Sequence, residues 1–94
     1  MTPASFKQSL SRGGPPECRP ALQALWWAAK DDWDAAHKIV MAHEADDDCA
    51  WVHAHLHRVE GDLDNARYWY RQARKREATL APDAEREAII AALL

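Results

Sequence analysis

The sequence predicts an all-α fold: two stacked helical hairpins plus a C-terminal capping helix. Three observations predict it. Apolar residues recur at the three-to-four spacing of a helix, and no stretch alternates as a strand would. Gly and Pro stand only at joints. A unit also repeats, with "KDDWDAAH" and "EGDLDNAR" pairing Asp32 with Asp62, Trp33 with Leu63, Asp34 with Asp64 and Ala36 with Ala66, a period of 30 residues. One such hairpin cannot bury its apolar face alone, so the units stack and a terminal helix closes the stack.

Residues 1–19 read as a flexible leader, with Gly13, Gly14, Pro15 and Pro16 among Ser and Arg, and with no more than a brief helical turn near Phe6 to Leu10. Residues 20–94 then form a single helical domain. Pro20 suits the first turn of a helix, "PALQALWWAAK", whose Leu22, Leu25, Trp26 and Ala29 share one face. Trp27 lies about 100° around from Trp26 and misses the centre of that face. The second helix, "DDWDAAHKIVMAHE", is capped by Asp31 or Asp32 and has Trp33, Ala36, His37 and Val40 as its apolar face. In the third, "CAWVHAHLHRVE", Val52, Leu56 and Val59 make the core line, Trp51 and His55 sit on a shoulder, and Gly61 ends the helix. The fourth, "DLDNARYWYRQARKRE", lines one face with Leu63, Ala66, Tyr70 and Ala73, and Trp69 stands beside them. The last, "PDAEREAIIAALL", offers Ile89, Ala92 and Leu93 to cover an open end.

With 94 residues, the chain has room for one small core, and 48% hydrophobic against 29% charged residues suits a folded protein. Much of the apolar content is Ala, so helices should approach closely, and the five Trp must supply much of the buried area. A net charge of −3 gives no general attraction to nucleic acid, and no nucleic-acid motif is present. No apolar run could span a bilayer, and the N-terminal residues lack the apolar centre of a signal peptide. Cys18 and Cys49 suggest no disulfide framework. A cytoplasmic protein is expected, with no membrane and no nucleic-acid partner.

Acids cluster from Asp31 to Asp48 and bases from Arg58 to Arg76. Two solvated faces of opposite sign explain this, and a homodimer is the sharper expectation. Arg67, Arg71 and Arg74 follow a helical stripe. With Trp27 and Tyr68, which fall off the core lines, they form the interaction surface the sequence suggests, suited to an acidic peptide or protein.

Cys49, His53 and His57 are spaced i, i+4, i+8 on the third helix, flanked by Glu60. A thiolate, imidazoles and a carboxylate are metal ligands, and i, i+4 His pairs can share an ion. All three cannot, because they spread over more than about 10 Å of helix. His53 with His57, or Cys49 with His53, are the feasible pairs. The plainer expectation is a polar helix shoulder with no cofactor. His37 and His55 fall on or near apolar faces and should be packed imidazoles bonded to a carboxylate or carbonyl. Catalysis has little behind it. Ser5, Ser9 and Ser11 lie in the leader, and Cys49 with His53 lacks oxyanion donors and a pocket.

The stretch "EGDLDNARYWYRQA" resembles tetratricopeptide-type and Sel1-like repeats, with Gly61 as the turn glycine, Ala66 as the packing alanine, Tyr70 as the aromatic and Ala73 as the later alanine. In the first unit Asp31 stands where that glycine would. Residues 22–76 also resemble a group of small uncharacterised bacterial proteins through His57, Arg58, Glu60, Gly61, Asp62, Asn65, Ala66, Tyr68, Trp69, Tyr70, Arg71 and Ala73. The resemblance implies binding of a protein or peptide, so an interaction module or adaptor is the expected role. A metal-binding protein using the stripe on the third helix, or a small enzyme, is the alternative.

Overall fold

Two residues with left-handed backbone set the hairpins. Helix α2 (Pro20–Ala29) turns into α3 (Trp33–Met41) at Asp31, φ 60°, and α4 (Asp47–Glu60) turns into α5 (Leu63–Ala73) at Gly61, φ 86°. The two turns close alike. Asp32 N–H donates to the Trp27 carbonyl at 2.9 Å and Asp31 N–H to that of Ala28 at 3.0 Å; Asp62 N–H donates to His57 at 2.9 Å and Gly61 N–H to Arg58 at 3.1 Å. Such paired bonds satisfy carbonyls that a helix end leaves free. The Asp32 and Asp62 carboxylates then accept from the N–H groups of Ala35 and Asn65, so each aspartate starts the next helix. Asp31 makes the turn Gly61 makes, at a backbone cost of roughly 1–2 kcal/mol.

The computed structural model describes residues 1–94 as six helices with no strand, and the remaining two are α1 (Pro3–Ser9) and α6 (Pro82–Leu93). No helix is long and apolar enough to cross a membrane. Helix α4 is the axis of the fold. It packs against α2, α3, α5 and α6, and Cys49, Ala50 and every residue from Val52 to His57 are buried. The main core gathers Phe6, Leu22, Leu25, Trp26, Val40, Val52, Leu56 and Ile89, while a smaller one under α4 and α5 holds Ala50, Ala54, Ala66, Trp69, Tyr70 and Ala73. The alanines there let α4 and α5 approach closely. Val59 and Leu63, expected in the core, are half exposed because they flank the turn at Gly61.

Within residues 1–19, expected as a flexible leader, α1 is held by two buried side chains, Phe6 and Ser9, while most of the other residues are exposed. Thr2 caps α1 in a reciprocal pair with Ser5, Phe6 is 1% exposed, and the Ser9 hydroxyl accepts from Trp26 Nε1 at 3.1 Å. One aromatic ring and one buried hydroxyl suffice to dock this helix over Trp26, and glycines and prolines at 13–16 merely bend the chain between α1 and α2. Ser9→Ala should therefore lower the unfolding free energy by about 1–2 kcal/mol in a urea melt, because it orphans the buried indole N–H; a loose leader would leave the midpoint unmoved.

Candidate metal centre

α3 and α4 bring three histidines together. His37 sits one turn after Trp33 on the inner face of α3, and His53 and His57 lie one turn apart on the facing side of α4. One ring nitrogen from each falls within 4.8 Å of the others. The His37 and His53 Nε2 atoms are 3.2 Å apart. Two nitrogens bound to one tetrahedral ion at about 2.0–2.1 Å stand about 3.3 Å apart, so this pair already has ligand spacing.

Each imidazole is oriented by a neighbour. Trp33 stacks on His37 at 4.5 Å between centroids and Trp69 stacks on His53 at 4.0 Å, while Trp33 also meets His57 edge-on at 5.9 Å. His57 Nδ1 donates to the Glu60 carboxylate at 2.6 Å, one turn on. That bond fixes the tautomer and leaves the Nε2 lone pair for a ligand, as carboxylates behind metal-bound histidines do.

The electrostatics keep the rings ready to bind. Burial, with His57 and His37 close by, pushes the His53 pKa down to about 3. Burial and His57 lower His37 as well, against the pull of Glu60, Asp34 and Glu44. Both rings are therefore neutral near pH 7, and neutral imidazole is the form that coordinates metal. His53 is 3% exposed and its Nδ1 has no hydrogen-bond partner. An unsatisfied buried nitrogen costs about 1–3 kcal/mol, and His55 Nε2, outside the cluster, is in the same state.

The residues singled out in the sequence are placed unequally. His53, His57 and Glu60 belong to the cluster; Cys49 does not. Its side chain turns into the main core beside Val52 and Leu22 and is wholly buried. Burial, then Asp46 and Asp48, push its thiol up to about 12, so the thiolate ligand is unavailable. A thiol reagent applied to the native protein should label Cys18, which is part-exposed, and spare Cys49 until the chain unfolds. Equal labelling of both under native conditions would contradict this placement.

His55, two residues from His53 and His57, points to the other side of α4. Its Nδ1 donates to Glu85 of α6 at 2.6 Å. Glu85 also accepts from Tyr70 and from Arg58 at 3.2 Å. The expected interaction residues are scattered. Trp27 is half-buried against the main core and edge-on to Trp26, whereas Tyr68 is 46% exposed on α5. Arg67, Arg71 and Arg74 are exposed, and Arg67 already pairs with Asp64 at 2.8 Å and Glu77 at 2.9 Å. His37 is the site residue sequence spacing missed. Its signal was a polar ring on the predicted apolar face of its helix, four residues after Trp33.

Compared with family models, curated proteins and solved structures, the chain has no match.

Proposed function

We propose that this protein binds a divalent first-row transition metal, zinc foremost, on His37, His53 and His57. The observation that carries the reading is the convergence of three imidazole nitrogens within 4.8 Å from two helices. Three borderline nitrogen donors suit zinc, cobalt, nickel or copper, whereas magnesium and calcium seek oxygen. Glu60 supports it by holding His57 from behind. His53 supports it too, as a buried polar ring whose unsatisfied nitrogen an apolar residue would remove. To hold an ion through both Nε2 atoms, His37 and His53 would each carry their hydrogen on Nδ1. A ring nitrogen of His57 lies within 4.8 Å of the other two. A docking surface for a protein or peptide has less behind it, because Trp27 and Tyr68 belong to different helix pairs and Arg67 is already paired.

Calorimetric titration of the metal-free protein with zinc tests the reading. One equivalent should bind. His37→Ala should weaken binding by more than the roughly 10–100-fold lost when a residue behind a ligand is removed. Helical content, followed by circular dichroism, should stay unchanged, since His37 is half-buried. Absence of stoichiometric binding, or equal affinity in the variant, would overturn it.

A further inference from the structure

We infer that the ion held by His37, His53 and His57 keeps an exchangeable fourth position, open on the His37 side, that takes water or in its place a small monoanion. This rests on the metal-binding reading. Three features of the site point to it.

The first is the donor set. Three nitrogens converge, and the group of ligand atoms that holds them contains these three histidines and no fourth donor. The Glu60 carboxylate is bonded to His57 Nδ1, behind that ring, and the Asp62 carboxylate caps α5 through Asn65 N–H. The Cys49 thiol lies in the main core. Structural zinc sites are closed by four protein ligands, whereas three leave room for water or substrate.

The second is access. His53 is 3% and His57 6% exposed, while His37 is only half-buried. His37 is thus the ring of the three nearest solvent, and the open position is placed on its side. Trp33 and Trp69 stack on two of the rings, which resists the swing that would bring another side chain in.

The third is charge. Neutral imidazoles leave both positive charges of a divalent ion uncompensated by its ligands. Glu60 acts from behind His57, and Asp34 and Glu44 act on His37 from a distance. A monoanion entering the open position displaces the water, forms one bond to the ion and breaks one, and partly neutralises that charge.

Cobalt is the probe, since it takes zinc's place and its four-coordinate visible bands respond to each ligand. The full chain is loaded with one equivalent of cobalt and titrated with azide. The expected result is a saturable one-to-one shift of those bands. His37→Ala should lose the cobalt bands from the start. If the bands appear with one equivalent of cobalt but azide leaves them unmoved, the metal reading stands and the open position is refuted. If azide bleaches them to the spectrum of aqueous cobalt, it strips the ion, and the open position is likewise refuted. If cobalt gives no bands, the metal reading fails and this inference falls with it.

Discussion

Zinc present at about a thousandfold over its dissociation constant will raise the unfolding free energy by about 4 kcal/mol. In a chain of 94 residues that lifts the melting temperature by at least about 15 °C. The effect is large because the site exists only in the folded chain. His37 and His53 lie 16 residues apart and meet only when α3 packs on α4, so the unfolded chain offers no preformed cluster. The informative variant is His53→Leu. It removes a ligand together with the orphaned Nδ1, and the half-buried His37 that loses its partner can bond to water instead, so the exchange for an apolar side chain is nearly neutral. The metal-free variant should therefore melt no lower than the metal-free parent, while its response to zinc vanishes. A variant that melts far lower without metal, yet still rises with zinc, would make His53 a packing residue and nothing more.

Glu85→Ala should lower the unfolding free energy by about 3–5 kcal/mol, a fall of more than about 10 °C in melting temperature. Glu85 is 3% exposed and ties three elements together: α6 through its own position, α4 through His55 and Arg58, and α5 through Tyr70. Its removal leaves Arg58, 18% exposed, without its carboxylate, and strands the Tyr70 hydroxyl and His55 Nδ1–H. A drop of only a few degrees would show that water replaces the carboxylate without penalty. The pH dependence has a definite sign. Burial alone would raise the Glu85 pKa, but hydrogen bonds from His55, Tyr70 and Arg58 outweigh it and hold the group below its ordinary value of 4.5. A carboxylate depressed in the folded state stabilises above its unfolded value and loses that contribution as pH falls through the folded one. The gap between parent and Glu85→Ala melts should therefore be full near neutrality and narrow below about pH 4.5.

Much of the fold was legible because local chemistry wrote it. Asp32, Asp62, Gly61, Pro20 and Pro82 mark helix ends, and their roles need no knowledge of what packs where. The site was half legible for the same reason. His53 and His57 share a face of one helix, so their spacing shows them as neighbours. Cys49 fits that spacing too, but the drift of a helix over eight residues carries it into the core. His37 reaches the cluster through the packing of α3 on α4, and no spacing within either helix encodes that meeting. The same limit hid Glu85, 30 residues from the His55 it satisfies. Helix α4 is buried on nearly all sides, so it has no single apolar stripe to read; its histidines pair with α3, with α6 and with Glu60 of the same helix, and one nitrogen each of His53 and His55 has no partner. The docking of α1 rests on Phe6 and Ser9, too few residues for a periodic signal.

The stacking of Trp33 on His37 and Trp69 on His53 gives the molecule an optical reporter. Both indoles lie against the rings that would hold an ion, so a paramagnetic guest such as cupric ion will quench their emission first. Trp26, Trp27 and Trp51 pack elsewhere, against the main core. Occupancy can thus be followed by light emitted from the unmodified chain, with no dye attached.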